Sequence, residues 1–568
     1  MKKIIALLLC VFMLMGMLSG CRYLRLAEIL FESFQQGQTE QTQQPEDSQN
    51  PEDSEQPEQD TTEFEEVENS LLTYTLDQAM IDGFYRILDE AEQIAINGDD
   101  WETVDAKTSE VDDVYMALMD QSQIAYILYC LDQSDETLSQ QYLDTNELMT
   151  QAEFDYNAMI RRIYQSESPF KEQLFEGWTQ AQIDRMLKHN ETISALEERN
   201  AEITVEYREL DPYSQAEEVV TLYNELVSNN NQIAQIYGYD NYYVFAYDVV
   251  YERDYDVKQL GQMRKFVAQY LPDTYASALD GFYSVVNDMS EGDITRLNLF
   301  LAQDYDTLEK DYVQLYLQDL PQSMQDGMQH MFDNERVVFT DNEDAYEGAF
   351  TTCIAGEPFC YYGPNYQNSE TIIHELGHYY AGLNCDFWST PMDLCETQSQ
   401  GNEYLFIHQL RNQMSEDRYN VLADFKLIND IGNIIIFVMI DAFEEKVYTH
   451  KNAGNLTLEQ YDALMEEIAK DYGGLKFVEE NIGDVQGYWK LVVLESPVYY
   501  ISYAVSAVAS INLFTVAQQD EAAARESYRM IVEEVEEENG FLWNIRQAGL
   551  AGPFEETVYK SLWERYAK

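Results

Sequence analysis

Residues Thr371–Tyr380 read TIIHELGHYY and contain the pattern H-E-x-x-H. The apolar residues around this pattern predict a largely buried helix. Residues four apart share one helical face, so His374 and His378 can present two imidazoles to one metal ion, and neutral imidazoles suit Zn²⁺. Glu375 lies beside that face, where its carboxylate can take a proton from a water at the metal. The stretch therefore predicts a catalytic zinc site with its own general base.

A third protein ligand is expected, because catalytic zinc usually takes three and leaves one position open. Glu396 follows His378 by enough chain to finish one helix, turn, and return on a second. Glu403 lies two helical turns after Glu396 on the same face, where it can accept a hydrogen bond from a ligand imidazole. The weaker candidates for the third ligand are Asp386, Asp393 and His408.

The segment before the metal helix differs from the rest of the chain. Gly348–Gly356 and Pro358–Tyr362 combine β-branched and aromatic residues with bounding Gly and Pro, which predicts two short strands. Asn368 or Ser369 then provides an N-cap for the metal helix.

The remaining chain from about Asn69 has the pattern of long amphipathic helices, as in Leu71–Ile96 and Thr192–Val227. Asp99-Asp100 and Asp211-Pro212 predict breaks between helices. Two apolar runs, Ile434–Ile440 and Leu491–Ala517, are too short or too interrupted to predict a membrane span. The fold is therefore expected to be mainly α, with a small β-element next to the zinc helix.

Charge restricts the partners. The sequence has 34 Lys and Arg against 104 Asp and Glu, a formal net charge of −70. Proteins bind a phosphate backbone through Lys and Arg, so this net charge excludes the commonest kind of nucleic-acid partner. It also disfavours direct binding to anionic lipid. The excess of acidic residues is explained by solubility, because net charge keeps exposed helices of an exported protein in solution.

The N-terminus reads as an export signal. Lys2-Lys3, an apolar run and the ending Leu18-Ser19-Gly20-Cys21 are typical of a bacterial lipoprotein, with lipid attached at Cys21 after residues 1–20 are removed. Residues 21–68 are polar and acidic, as expected of a disordered tether. We expect residues 69–235 to form an N-terminal helical region and 236–568 the catalytic region. The predicted location is the extracytoplasmic face of the membrane, with contact only through the anchor.

Export makes disulfides possible. Apart from Cys10 and Cys21, the chain has Cys130 and two pairs that are close in sequence, Cys353 with Cys360 and Cys385 with Cys395. Proximity alone does not choose between these pairings.

The motifs resemble the thimet oligopeptidase and oligoendopeptidase F family of zinc peptidases, family M3, over about Glu347–Ala517. Thr371–His378 matches the family's T-x-x-H-E-L-G-H, Glu396–Glu403 its E-x-x-S-Q-x-x-E, and Pro497–Ala504 its tyrosine segment. Further likeness lies at Gly348-Ala349-Phe350, Met439–Glu444, Leu456-Thr457 and Asp471–Gly473.

This resemblance implies two helical lobes around a deep channel that admits flexible oligopeptides, with one zinc ion held by His374, His378 and Glu396. It implies that Tyr500 and Tyr503 stabilise the oxyanion of the tetrahedral intermediate. The chain departs from the family in a shorter gap between His378 and Glu396, and in having no His after His450.

Three functions compete at this point. The first is a lipid-anchored zinc endopeptidase of the gluzincin type, with H-E-x-x-H plus Glu as its site, acting on short unfolded peptides. The second is a peptide-binding surface lipoprotein in which catalysis has lapsed. The lack of a His after His450 supports this function, and the intact Glu375 opposes it. The third is a structural zinc site closed by a fourth ligand such as Cys385 or Cys395.

Overall fold

The computed structural model describes residues 69–568, apart from residues 179, 209, 289–309, 365 and 482–484. The expected signal peptide, Cys21 and the acidic tether lie outside the described residues.

The first part of the described chain is helical. A 3₁₀ turn at Ser70–Leu72 precedes helices α1 Gln78–Asn97, α2 Trp101–Leu131, α3 Glu136–Gln165, α4 Lys171–Leu174, α5 Gln180–Lys188, α6 Glu191–Arg208 and α7 Ala216–Tyr237. The predicted breaks are confirmed: Asp100 caps α2, and Asp211-Pro212 separates α6 from α7. Helix α1 starts later than the amphipathic pattern suggested, because Asp77 accepts a hydrogen bond from the Met80 amide and caps it there.

The chain continues through α8 Tyr242–Phe245, a π-helical turn at Ala246–Val250, α9 Val257–Asp288, α10 Lys310–Asp319 and α11 Gln322–Asp333. A small sheet follows, made of β1 Val337–Phe339, β2 Ala349–Ile354 and β3 Glu357–Tyr362. Its order is β1-β3-β2, with β1 parallel and β2 antiparallel to β3. The two predicted strands are confirmed, and β1 was not expected.

Both faces of this sheet are covered, so every residue of β2 is buried. One face, with Phe350 and Tyr361, packs against α2 in a small core that includes Ile127. The other face carries Thr351 and Cys360, which are paired across the hairpin. Side chains alternate along a strand, so this second face is turned toward the helix that comes next in the chain.

That next helix is α12 Ser369–Asn384, and α13 Met392–Leu410 and α14 Glu416–Tyr448 follow it. The rest of the chain forms α15 Leu458–Ala469, α16 Leu475–Asn481, α17 Val485–Val492, α18 Ile501–Gln519, α19 Glu521–Glu533, α20 Gly540–Gln547 and α21 Glu556–Tyr566, with 3₁₀ turns at Lys470–Tyr472 and Glu537–Asn539.

The largest core joins α12, α13, α14 and α18, and includes Ile434–Ile440 as the buried segment that was predicted. A separate core lies among α1, α2 and α3, and takes in Cys353 of β2 and Trp388 from the loop between α12 and α13. Among the described helices, α18 is long and apolar enough to cross a membrane, but 72% of its most apolar window is buried inside the protein.

The mainly α fold with a small β-element beside the metal helix is confirmed. The cysteines of the described chain are all free, so neither disulfide pairing forms in this structure.

Candidate active site

Helix α12 is capped by Asn368, whose side chain accepts a hydrogen bond from the Thr371 amide at 3.0 Å. Ile372, Ile373 and Leu376 are fully buried and attach the helix to the core. With these side chains inside, the face that carries the two histidines is turned toward α13.

The two imidazoles meet at one point. Nε2 of His374 lies 3.2 Å from Nε2 of His378, and the ring planes are inclined by 74°. Oε2 of Glu396, on α13, lies 3.8 Å from the first nitrogen and 3.9 Å from the second. One ligand atom from each of the three residues thus falls within 4.8 Å of the others.

These three residues fit a zinc ion. Oε2 of Glu396 is buried and has no hydrogen-bond partner within the described part of the chain. A buried carboxylate oxygen without a partner is costly, and here it faces Nε2 of both imidazoles. Two imidazoles and one carboxylate form a three-ligand set typical of catalytic zinc.

The close approach of α12 and α13 depends on Gly377. A Cβ atom at this position would lie 2.7 Å from the Ser399 Cα atom and 2.9 Å from the Gln398 carbonyl oxygen. The absence of a side chain therefore lets the two helices come close enough for His378 and Glu396 to face one site.

Glu403 supports the first histidine from behind. Its Oε1 lies 2.5 Å from Nδ1 of His374, which leaves Nε2 of that ring turned toward His378 and Glu396. Metal-ligating histidines usually bond a carboxylate in this way, because the bond orients the ring. The other oxygen of Glu403, Oε2, lies 2.5 Å from Nζ of Lys426 on α14.

Glu375 points to the sheet side of α12. Its Oε2 accepts a hydrogen bond of 2.7 Å from the Thr351 hydroxyl on β2, and the carboxylate is buried. Burial raises the pKa of Glu375 above its ordinary value, although the charge of His374 and the Thr351 hydrogen bond oppose that shift. A carboxylate with a raised pKa is a stronger base, as the role predicted for it requires.

The two histidines of the site differ in pKa. Burial lowers the pKa of His374, but its hydrogen bond to Glu403 and the nearby carboxylates raise it to about 9. Burial, and then the charge of His374, hold the pKa of His378 well below its ordinary value. Burial raises the pKa of Glu396 to about 7 even though His374 lowers it. The proton of the site therefore resides on His374, whose Nδ1 bonds Glu403.

The tyrosine segment lies against the third ligand. The residue that it brings to Glu396 is Tyr499, whose hydroxyl donates to Oε1 at 3.2 Å and lies 3.3 Å from the Tyr503 hydroxyl. Tyr503 is partly exposed, whereas Tyr500 is buried and stacks on Phe437 with ring centroids 6.0 Å apart. Of the two predicted tyrosines, Tyr503 thus contacts the tyrosine that bonds Glu396.

The other candidate ligands contact different partners. His408 is buried beside Phe514, with Nε2 3.6 Å from Glu521. The Cys385 thiol bonds the Val532 carbonyl, and the Cys395 thiol bonds the Thr390 carbonyl. Within the described residues, the group whose ligand atoms could hold one metal ion consists of His374, His378 and Glu396. It includes neither of the two cysteines, and neither Asp386 nor Asp393.

Sequence reasoning missed Thr351, Tyr499 and Lys426. Thr351 lies in a predicted strand just before the metal helix, and Tyr499 precedes Tyr503 by one helical turn, so both had a weak local signal. Lys426 had none, because it belongs to no motif and approaches the site from a third helix.

Comparison with known proteins places this geometry in a known fold. No family model matches the sequence, and no curated protein matches it. A solved structure described as oligoendopeptidase F superposes with a TM-score of 0.69 at 16% identity, over 88% of this chain and 98% of that chain. One described as an oligoendopeptidase F from Bacillus anthracis strain Ames gives 0.68 at 16% identity, over 87% and 96%.

PZ peptidase A, solved with an inhibitor, gives a TM-score of 0.66 at 15% identity, over 87% of this chain and 99% of that chain. At these identities the likeness establishes the fold. The chain has the helical fold of oligoendopeptidase F and PZ peptidase A, the family M3 fold that its motifs resemble.

Proposed function

We propose that this chain is a zinc-dependent endopeptidase of the oligoendopeptidase F type that hydrolyses short unfolded peptides. The observation that carries the proposal is the unpartnered Oε2 of Glu396, which faces Nε2 of both His374 and His378. Glu375, the residue after His374, is close enough for the charge of that imidazole to act on its carboxylate. The shared fold with oligoendopeptidase F and PZ peptidase A supports the same class of reaction.

His374, His378 and Glu396 would hold the ion. When bound, zinc would polarise the scissile carbonyl and acidify the attacking water. Glu403 keeps His374 oriented through Nδ1, and Tyr499 keeps the Glu396 carboxylate oriented through Oε1.

Glu375 moves the proton. Its carboxylate accepts a proton from the attacking water and returns it to the leaving amine nitrogen, so the residue is unchanged over one turnover. The Thr351 hydroxyl holds one carboxylate oxygen, Oε2, in place. The other oxygen is the one that meets the water.

Tyr503 is the proposed donor to the developing oxyanion. It lies next to Tyr499, which itself contacts Glu396, and it is less buried than Tyr500. A phenol that donates a hydrogen bond to charge appearing on the carbonyl oxygen stabilises the transition state more than the substrate.

Glu375→Gln tests the proposed reaction. We expect the variant to bind one zinc ion as the wild type does and to lose cleavage of a quenched fluorescent peptide by at least about 10²-fold, since the amide cannot accept the proton. Metal analysis of the same sample controls for loss of the site. Turnover retained in the variant would contradict the mechanism. A wild-type protein that binds zinc and peptides without cleaving any would support the lapsed peptide-binding protein instead.

We also propose that the protein is anchored by lipid at Cys21 on the extracytoplasmic face of the bacterial membrane. The support is the sequence of residues 1–20 and the acidic stretch that follows. We expect Cys21→Ser to move the protein from the membrane fraction to the soluble fraction and to abolish labelling with a radioactive fatty acid. Unchanged fractionation and labelling in this variant would exclude the anchor.

A further inference from the structure

Lys426, a buried lysine on α14, lies behind the metal helix and takes no part in the proposed reaction. Nζ of Lys426 is 2.5 Å from Oε2 of Glu403, 3.0 Å from Oδ1 of Asp430 and 3.4 Å from Oε1 of Glu370. Only 8% of Lys426 is exposed to solvent. One buried ammonium group therefore contacts three carboxylates, of which Glu403 and Asp430 are buried and Glu370 is partly exposed.

These contacts join three helices. Glu370 lies one helical turn before His374 on α12, Glu403 lies two turns after Glu396 on α13, and Lys426 and Asp430 are one turn apart on α14. Lys426 therefore links α14, which supplies no metal ligand, to both helices that do.

The two oxygens of Glu403 have separate partners. Oε1 meets Nδ1 of His374 and Oε2 meets Nζ of Lys426, each at 2.5 Å. A carboxylate held at both oxygens cannot rotate about its terminal bond without losing one contact. The position of Lys426 therefore sets the plane of the carboxylate that orients His374.

The charge of the cluster also depends on this lysine. Burial alone would lower the pKa of Lys426, but Asp430, Glu403 and Glu370 raise it well above its ordinary value. The lysine is therefore charged across the physiological range. Without it, Glu370 and Asp430 would lose the cation that they contact, and Glu403 would keep only His374.

A purely structural role would not need Glu403. Asp430 already pairs with Lys426 within one helix, and its other oxygen accepts a hydrogen bond from the Tyr404 hydroxyl at 2.5 Å. The Tyr404 ring also lies 5.4 Å from Nζ. Lys426 could thus be satisfied by Asp430 and the Tyr404 ring, yet its shortest contact is to the residue behind the metal ligand.

We propose that Lys426 is a positioning residue for zinc binding, and that it acts through Glu403 by holding the carboxylate that orients His374. The inference rests on the proposed function, because zinc is the group that His374 would bind. It extends the supporting layer of the site to a residue on a third helix.

The test is a double-mutant cycle on zinc affinity, measured by competition with a chromogenic chelator on Lys426→Met, Glu403→Gln and the double variant. We expect each single change to weaken zinc binding by about 10- to 100-fold, the range for partners of metal-ligating histidines. We expect the double variant to bind zinc as weakly as Glu403→Gln alone, since residues that act through one another are not additive.

Two further variants control the cycle. Lys446→Met removes a surface lysine of the same helix, which pairs with Glu467 at 2.9 Å, and should leave zinc affinity unchanged. Removing one partner of a buried ion pair can prevent folding. Lys426→Met/Asp430→Asn, compared with Asp430→Asn alone, removes one charge of each sign and repeats the test if Lys426→Met does not fold.

The possible results separate the two proposals. Zinc affinity of Lys426→Met within twofold of wild type would overturn the inference alone. If Lys426→Met weakened zinc binding as much in the Glu403→Gln background as in the wild type, the inference would also be overturned. The effect of Lys426 would then not pass through Glu403. A wild-type protein that binds no zinc would overturn the proposed function, and this inference with it.

Discussion

Helices α1 and α13 differ in how much of their surface is buried. Helix α1 spans 20 residues and buries five of them, Phe84, Ile87, Leu88, Ala91 and Ala95, all apolar and on one stripe. Helix α13 spans 19 residues and buries every one except Cys395. The first helix has one face in the core and one in water, whereas the second is surrounded by protein.

The difference shows where the chemistry is concentrated. A helix that is buried all round must also bury its polar residues, and these need partners. Gln398 and Asn402 of α13 donate to the carbonyls of Ile531 and Ile373, both at 2.7 Å. Glu396 has Tyr499 on one oxygen and the two imidazole nitrogens opposite the other. The region around α1 supports the fold, and the region around α13 holds the site.

The largest effect is expected where α12 and α13 are in contact. Gly377→Ala places a Cβ 2.7 Å from the Ser399 Cα atom, so α12 and α13 must move apart. Overpacking of this kind costs about 1–3 kcal/mol of the free energy of unfolding. A shift of about 1 Å between His378 and Glu396 should lower the peptide-cleavage rate by about 10²-fold. Urea unfolding and a peptide assay measure the two effects, and wild-type values for both would show that the helices are not in close contact.

A smaller effect is expected from a half-buried acid in the first region. Burial, and then the charge of Glu197, raise the pKa of Glu153 on α3 to about 8, whereas Lys426 and His374 lower the pKa of Glu403 despite its burial. Between the unfolded pKa and 8 the folded protein holds a proton on Glu153 that the unfolded chain has lost. This group therefore makes the protein less stable as pH rises.

Glu153→Gln removes that dependence. Relative to wild type, the variant should gain roughly 2 kcal/mol in free energy of unfolding as pH rises from 5 to 6.5. The measurement is urea unfolding of both proteins at each pH, so that the many other carboxylates cancel. A constant difference between the two proteins across this range would contradict the raised pKa.

The smallest effect is the converse of Gly377→Ala. Gly83 lies within α1, and a Cβ there would meet no atom of the described residues within 4 Å. Gly83→Ala should therefore raise the free energy of unfolding by about 0.5–1 kcal/mol, because alanine loses less backbone entropy in a helix. Thermal unfolding and the peptide assay should show a more stable protein with unchanged cleavage. Destabilisation by this substitution would show that the exposed face of α1 is covered.

The sequence by itself determined the features that depend on near neighbours along the chain. The spacing of His374 and His378, the cap at Asn368 and the alternation in β2 and β3 follow from backbone geometry that each segment adopts locally. The identification of Glu396 and Glu403 as partners of that helix rested on a motif, because α13 is buried all round and has no amphipathic period to read.

Only the tertiary structure decided which groups surround those residues. Thr351 reaches Glu375 from a strand, Tyr499 rather than Tyr500 reaches Glu396, and Lys426 reaches Glu403 from a third helix. Each contact depends on how elements far apart in the chain pack, and no local pattern encodes that distance. The physical reason is that a side chain's helical or strand preference is set within a few residues, whereas its partner is set by the close-packed interior as a whole.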